Sequence, residues 1–263
     1  NAGTLTLSGT LASAVLNVAS GAALNAQSGS VLPVTTVLTA DGTVNLANGA
    51  VTLQTLLGAG TLALNTTALT LSNGTFSGAI NGTGSLAKTS GGLLTLSGSN
   101  AYSGATNVNV GTLTLSGTLA STAVTVASGA ILNALSGSAL AATTTLTAEG
   151  LVNLFNSGVT LQTLLGAGVV TLDTTALTLS SGTFSGAING TGSLVKTSSG
   201  LLTLSGSNAY SGATSVNVGT LTLSGTLASA ALSVASGATL NAQSGSVLPA
   251  ATVLTANGLV NLA

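Results

Sequence analysis

Residues Gly78–Leu113 read GAINGTGSLAKTSGGLLTLSGSNAYSGATNVNVGTL, and Gly186–Leu221 read GAINGTGSLVKTSSGLLTLSGSNAYSGATSVNVGTL. The shorter string GTLTLSGTLAS begins at Gly3, Gly111 and Gly219, so the sequence has a 108-residue repeat. A sequence that repeats this closely predicts an array of similar structural units, each packed on its neighbours.

This period divides the chain into copies 1–108 and 109–216 and a partial copy 217–263, which we expect to form one continuous domain, 1–263. Along each copy, apolar residues recur at i and i+2 between turns rich in Gly, Ser and Asn, in nearly equal steps with one shorter step before Leu94. One step for each turn of a coil predicts six turns in a copy. The inward positions predicted for successive turns are Leu5, Leu24, Val44, Leu62, Ile80, Leu94 and Leu113.

The alternation of apolar and polar residues is typical of β-strands, because successive side chains point to opposite faces. In Thr112–Gly117 we expect both leucines inside and both threonines outside. The 36 glycines and the scarcity of Glu, Lys and Arg disfavour helices. Strands this short need partners one turn above and below, which predicts an all-β parallel β-helix (β-solenoid) with roughly 18–20 residues per turn. Six turns spaced by about 4.8 Å give roughly 29 Å per copy and a rod of about 70 Å.

Charged side chains make up 2% of the chain, and Arg and His are absent. The charged residues are Asp41, Lys88, Glu149, Asp173 and Lys196. So few basic groups argue against binding to nucleic acid or to an anionic membrane surface. Thr, Ser, Gly or Asn interrupts the apolar residues every few positions, so no stretch approaches the roughly 18 apolar residues of a membrane span.

Few residues could support catalysis. Neither His nor Cys is present, which removes Ser-His triads, thiol nucleophiles and the usual zinc ligand sets. A glycosidase needs two carboxyl groups about 5 to 9.5 Å apart, whereas Asp41 and Glu149 are equivalent positions roughly 29 Å apart along the axis. Glu149 and Asp173 could lie on neighbouring turns, but the same pair in the first copy is Asp41 and Asn65. We therefore predict no enzyme, and no catalytic, cofactor-binding or metal-binding residue.

Two lysines and two pairs of aromatic residues also recur with the period of the sequence. Lys88 and Lys196 either contact a polyanionic surface or, as we favour, are solvated side chains whose stems cover the edge of the core. The aromatic residues are either large fillers at a corner or a capped groove, which we favour, or a platform on which a sugar stacks. They are Tyr102, Tyr210, Phe76 and Phe184.

The repeated stretch resembles the autotransporter-associated β-strand repeat, also called the passenger-associated transport repeat. The matching positions are Gly84, Leu86, Lys88, Thr89, Leu94–Gly98, Asn100, Tyr102–Gly104, Thr106, Val108 and Gly111–Leu113, with a second set at the equivalent positions of the next copy. The resemblance implies an exported bacterial surface protein with a right-handed β-helical stalk, of the kind found in large adhesins and autotransporter passengers.

The favoured hypothesis is a structural one: a stalk segment of a secreted bacterial surface adhesin or extracellular filament, located outside the cell at the outer membrane. Such a segment gives reach, rigidity and self-association in cell adhesion and biofilm. The expected partners are further copies of the chain, in end-to-end contacts, while a host or cell-surface glycan stays open. Neither nucleic-acid binding, membrane insertion nor a cofactor is expected. So few ionisable groups also predict a stability almost independent of pH from acid to mild alkali.

Three alternatives remain. The first is an end-to-end assembling fibre subunit, because an open β-helix end would expose unpaired backbone groups. The second is an ice- or glycan-binding face, in which Thr4–Thr6, Thr143–Thr147 and Thr220–Thr222 align their side chains; threonine is also simply a good outward strand residue. A polysaccharide-acting enzyme is the least favoured.

Overall fold

The computed structural model describes residues 3–263, which form 34 β-strands. The chain is a parallel β-solenoid of about 14 turns, as its sequence predicts. It contains two compact units, residues 3–133 with 137–141 and residues 134–136 with 142–263. Among the described residues, no helix is long and apolar enough to cross a membrane.

The strands of the first unit follow one another at short intervals. They are β1 Gly3–Leu7, β2 Val15–Val18, β3 Ala22–Ala26, β4 Val37–Ala40, β5 Thr43–Leu46, β6 Ala50–Gly58, β7 Thr61–Ala63, β8 Ala68–Phe76, β9 Ala79–Asn81, β10 Ser85–Lys88, β11 Leu93–Leu96, β12 Ser99–Asn100, β13 Thr106–Val108, β14 Thr112–Leu115, β15 Thr118–Leu119, β16 Ala123–Val126, β17 Ile131–Ala134, whose last residue falls in the second unit, and β18 Ala139–Leu140.

The second unit repeats this order of short strands. They are β19 Thr145–Ala148, β20 Leu151–Leu154, β21 Gly158–Gly166, β22 Val169–Thr171, β23 Ala176–Phe184, β24 Ala187–Asn189, β25 Ser193–Lys196, β26 Leu201–Leu204, β27 Ser207–Asn208, β28 Thr214–Val216, β29 Thr220–Leu223, β30 Thr226–Leu227, β31 Ala231–Val234, β32 Thr239–Ala242, β33 Val253–Ala256 and β34 Leu259–Leu262.

Each turn places strands on three faces, and the ladders described for residues 3–263 are parallel. In the first unit one face stacks β1-β3-β5-β7-β9-β12-β15-β18. A second face stacks β2, β4, the ends of β6 and β8, β11 and β14. The third stacks the beginnings of β6 and β8 with β10, β13 and β16. The nine-residue strands β6 and β8 therefore bend across two faces.

The interior is a stack of apolar side chains. Leu24, Val44, Leu62 and Ile80 are consecutive partners on one face, and each is at most 1% exposed. Along β11 the burial alternates, so that two leucines point inward while Leu93 and a threonine point outward. Full burial of a Leu or Ile side chain stabilises a fold by roughly 1.5–3 kcal/mol, and here that contribution recurs on every turn.

The predicted number of turns per copy is wrong. Six successive pairings on one face lead from Leu5 to Leu119, so these two residues are six turns apart. The residue equivalent to Leu5 in the next copy is Leu113, which comes before Leu119. A copy therefore spans less than six turns. The predicted inward residue Leu94 lies on a different face, where it pairs with Gly74, and the place above Ile80 belongs to Asn100. The short step from Ile80 to Leu94 is not a full turn of this coil.

Equivalent strands of successive copies therefore occupy different faces. In the first unit β1 and β14 have the same sequence in successive copies, yet β1 lies in the ladder of β3 and β15 while β14 pairs with β11. In the second unit the same holds for β20, which pairs with β22, and β34, which pairs with β32. A copy advances by about five and two-thirds turns, because roughly 19 residues form each turn.

One corner is built from glycines that stack directly on one another. A Cβ atom on Gly60, Gly78, Gly98 or Gly117 would collide with the carbonyl oxygen of the glycine one turn below. Strands spaced by about 4.8 Å leave no room for a side chain where the backbone turns this tightly. Glycine at this corner is therefore a steric requirement.

The other turns follow their local sequence. Gly82 has a φ of 116°, a conformation open to glycine and strained for other residues. Pro33 and Pro249 each begin a turn in which the proline carbonyl accepts a hydrogen bond from the N–H of the threonine three residues on. Both prolines are therefore turn residues.

Candidate functional site

The carboxylates of Asp41 and of its equivalent, Glu149, accept hydrogen bonds from backbone N–H groups. Asp41 Oδ1 accepts a hydrogen bond from the N–H of Ala59 at 3.1 Å, and Glu149 Oε2 accepts one from the N–H of Ala167 at 3.2 Å. Each acid thus connects its own turn to the next one. The equivalent residue in the third copy is Asn257, whose side-chain carbonyl is also an acceptor, so the position needs an oxygen rather than a charge.

Asp173 is a turn residue. It and its equivalent Asn65 are the described non-glycine residues with positive φ, at 47° and 51°. Asn and Asp are the residues that tolerate this left-handed conformation best after glycine. Asn65 also donates its side-chain amide to the carbonyl of Leu46 at 2.9 Å.

Glu149 and Asp173 do not form a catalytic pair. Glu149 precedes β20, whereas Asp173 follows β22, and β20 and β22 are stacked in register on one face. The two carboxyl groups therefore lie at opposite ends of that face, separated by the length of a strand, roughly 13–17 Å. Residues 3–263 also contain no cluster of three or more His, Cys, Asp or Glu side chains that could hold a metal ion.

Both interpretations of Lys88 and Lys196 are wrong. Their side chains are 0% exposed, so they neither contact a polyanionic surface nor extend into solvent. Lys88 Nζ donates to the carbonyls of Ser90 and, at 3.2 Å, Val110; Lys196 Nζ bonds the equivalent carbonyls. Burial lowers the pKa of both ammonium groups below its usual range.

The aromatic pairs are internal fillers, and the sugar-stacking interpretation is wrong. Phe76, Phe184, Tyr102 and Tyr210 are each 0% exposed. The Tyr102 hydroxyl is 2.7 Å from the hydroxyl of Thr106, and the same contact in the second copy measures 2.6 Å. Burial raises the pKa of both tyrosines well above its usual range, while the threonine hydrogen bond acts in the opposite direction.

A set of buried polar residues accompanies these tyrosines and lysines. Asn100 is 0% exposed and donates its side-chain amide to the carbonyls of Gly98 at 3.1 Å and Thr118 at 3.0 Å. Asn208 makes the equivalent bonds in the second copy. Sequence reasoning missed this inward asparagine because the strand that carries it has only two residues and shows no alternation.

The outward threonines align over short stretches: Thr95 pairs with Thr75 and Thr114, and in the second unit Thr203 pairs with Thr183 and Thr222. Thr4 and Thr6 pair with Ala23 and Asn25 on the next turn, so the first of the three threonine runs is not continued there. Instead, asparagine side chains bond across neighbouring turns: Asn45 Nδ2 donates to Asn25 Oδ1 at 2.7 Å. Two surface depressions, one lined by Leu5 and its neighbours, carry no charged side chain.

The buried polar residues mark the stretch that known proteins share. The sequence model of the passenger-associated-transport-repeat family matches residues 86–115 and 194–228. These two stretches are similar to passenger-associated-transport repeats. Each repeat contains one buried lysine, one buried asparagine and one buried tyrosine.

A curated relative is a much longer protein than this chain. The chain is similar to the adhesin BmaC autotransporter of Brucella suis biovar 1 (strain 1330), with 36% identity over 176 residues. The match covers 62% of this chain and 4% of that protein. No solved structure matches the chain.

Proposed function

We propose that this chain is a structural, non-enzymatic segment of a bacterial surface adhesin, which extends a binding region away from the cell. The observation that carries the proposal is the uninterrupted stacking of turns around a filled interior in both units. The passenger repeats and the similarity to an autotransporter adhesin support an extracellular location at the outer membrane.

The outward chemistry supports a spacer better than a binding site. The charged residues that reach the surface are Asp41, Glu149 and Asp173, and each lies at a turn. Parallel strands with a closely packed interior resist bending and stretching because every turn hydrogen-bonds to the turns above and below. Length is then the property that the segment contributes.

The test separates length from surface chemistry in the full-length protein. The shortened variant lacks six whole turns, Leu5–Thr118, which span about 29 Å of stacked strands. The length-matched control keeps every turn and replaces the outward asparagines Asn25, Asn45 and Asn81 by serine. We expect bacterial attachment to a cell monolayer to fall in the shortened variant alone. The shortened variant lacks the same asparagines, so loss of attachment in the control would show a binding surface, and normal attachment in the shortened variant would refute the spacer.

Self-association and a role in biofilm stay predictions, supported by a surface almost free of charge. A net charge of −1 on 263 residues gives little electrostatic repulsion between copies. Light scattering of the purified chain at increasing concentration tests them: a mass that stays monomeric at every concentration would remove self-association, and fibre formation with it.

A further inference from the structure

An inward column of the first unit contains a single cation among apolar side chains. Consecutive partners on this face are Leu53, Leu71, Lys88, Val108 and Val126, and all of them are buried. The second unit repeats the column with Lys196 between an inward leucine and an inward valine. A leucine or valine would therefore suit the neighbours of either lysine.

The ammonium group is accommodated by a corner that differs from the others. Ser90 and Val110 direct their carbonyls toward Lys88 Nζ, one from the same turn and one from the next. The corner after Val126 is closed by its own backbone instead, with the N–H of Ala130 donating to the carbonyl of Ala127 at 2.9 Å. Of these two corners, the one beside Lys88 therefore has carbonyl groups that accept hydrogen bonds from a buried ammonium group.

Burying this lysine is costly in stability. Neither ammonium forms an ion pair with a carboxylate of residues 3–263. Removing an ammonium group from water carries a penalty that hydrogen bonds to neutral carbonyls offset only in part, and an apolar residue of similar volume is often neutral or stabilising in such a place. A contribution other than stability is needed to explain why both copies bury a lysine here.

The turns of the chain are so similar that their sequence specifies the stacking register only weakly. Leucine-threonine strands and glycine corners recur on every turn, so strands that stack one turn out of place would still bury leucine on leucine. Register is weakly specified where alternative pairings bury the same apolar surface. A slipped β10 would place Lys88 against apolar side chains and a corner that is already closed.

We propose that Lys88 and Lys196 fix the stacking register of the turns. The second hydrogen bond of each ammonium group goes to a carbonyl on the next turn, that of Val110 for Lys88 and that of Val218 for Lys196. This bond forms only when the strand of the lysine is stacked directly on the strand that precedes this valine. A wrong register leaves an ammonium group buried without partners, which is far more costly than a misplaced leucine. Buried polar groups that select one register at some cost in stability are known from coiled coils.

Introduced cysteines can measure the register, because the chain has none of its own. Ala87 and Asn107 are outward partners on stacked strands, and a spacing of about 4.8 Å suits a disulfide. The pair Ala87→Cys/Asn107→Cys therefore reports the native register. The pair Ala87→Cys/Thr125→Cys spans two strand spacings, about 9.6 Å, and closes only after a slip of one turn.

The experiment refolds both cysteine pairs from denaturant under mild oxidation, with Lys88 present or replaced by methionine. We expect Lys88→Met to lower the ratio of native to slipped disulfide by about tenfold or more, since two charge-assisted bonds no longer select the register, and to leave the urea midpoint unchanged or raised. Lys196→Met is the matched control, because it removes the equivalent lysine of the next copy and should leave the ratio at Ala87 unchanged.

An unchanged ratio in Lys88→Met would overturn the proposal, and so would a lowered urea midpoint at an unchanged ratio, which would make the lysine an ordinary stabilising residue. If Lys88→Met yields no soluble chain, Lys88→Gln keeps two hydrogen-bond donors without the charge and is measured in the same way. We expect a smaller fall in the ratio there, and no fall would again contradict the proposal.

Discussion

Two regions of the first unit differ in how they tolerate change. The motif turns, Gly78–Leu113, differ from their second copy at three of 36 positions, whereas the linking turns, Val15–Leu57, differ from theirs at 14 of 43. The three motif differences fall at Ala87, Gly91 and Asn107, none of which is buried. The 14 differences of the linking turns also fall at positions that are not buried in the first unit, so both regions keep their interior, and the motif turns keep most of their outward residues as well.

The two interiors differ in their buried polar groups. The motif turns bury Lys88, Asn100, Tyr102 and Thr106 completely. Each needs specific hydrogen-bond partners, so few substitutions fit. The linking turns bury mainly Leu, Val and Ala, which need a suitable volume but no hydrogen-bond partner.

The comparison predicts its largest effect at Tyr102. Tyr102→Ala should lower the free energy of unfolding by about 3–5 kcal/mol, because it leaves a large cavity and an unpaired Thr106 hydroxyl. The matched change in the linking turns is Val31→Ala, at a half-exposed residue whose equivalent in the second copy is Ala139, and it should cost under about 0.5 kcal/mol. Urea unfolding followed by circular dichroism measures both. Equal losses would contradict the packing of Tyr102 in the interior of the motif turns.

The glycine corner should give the next largest effect. Gly98→Ala brings a Cβ against the carbonyls of Ser77 and Gly78, which are backbone atoms that cannot move aside, so we expect a loss of about 3 kcal/mol. Gly49→Ala in the linking turns meets no atom within 4 Å and should be close to neutral. The corner also includes Gly60, which lies three residues after the end of the linking turns. A matching loss in Gly60→Ala would show that this requirement belongs to the whole coil and not to the motif.

The sequence could predict the parallel coil but not the face of the coil on which each repeated strand lies. The alternation in β11 and β14 and the glycine corners indicate parallel stacked strands without any family information. The number of turns per copy was out of reach, because Leu94 and Leu113 look like inward residues of the same face as Ile80 although a different face carries them. Only strand pairing separates the faces, and apolar pairs on all three faces look alike in sequence.

The candidate residues were predictable to different degrees. Lys88 could have been placed inside, since it follows Leu86 by two residues in Ser85–Lys88 and alternation then puts both on the same face. The general expectation that lysine is solvated took precedence. Asn100 gave no such signal, because its two-residue strand has no pattern to extend. The tyrosines were correctly predicted as fillers from their size and period.

A smaller effect should appear in alkali and comes from the motif turns alone. Tyr102 and Tyr210 are the only tyrosines, and burial raises the pKa of both. A group whose pKa is higher in the folded state loses its stabilising contribution as pH rises above the pKa of the unfolded chain, which is about 10 for tyrosine. At pH 11 we expect a loss of about 1.4 kcal/mol for each tyrosine. Stability should therefore decrease above pH 10.

Absorbance at 295 nm checks this directly, because the chain contains no tryptophan. The folded chain should show no phenolate signal near pH 10, and the signal should appear together with unfolding at higher pH. The variant Tyr102→Phe should halve the signal. A reversible phenolate titration near pH 10 in a chain that keeps its circular dichroism would contradict the burial of the tyrosines.

The smallest effect is expected at the outward asparagines of the linking turns. Asn45→Ala removes a single hydrogen bond to Asn25 at a partly exposed position, so the free energy of unfolding should fall by about 0.5–1 kcal/mol. The next residue along this outward column is Ala63, and alanine therefore fits the position without strain. A loss above about 2 kcal/mol, measured by urea unfolding, would exceed a typical hydrogen bond. It would mean that the linking turns depend on their polar groups as the motif turns do, and the contrast between a constrained interior and a tolerant surface would no longer hold.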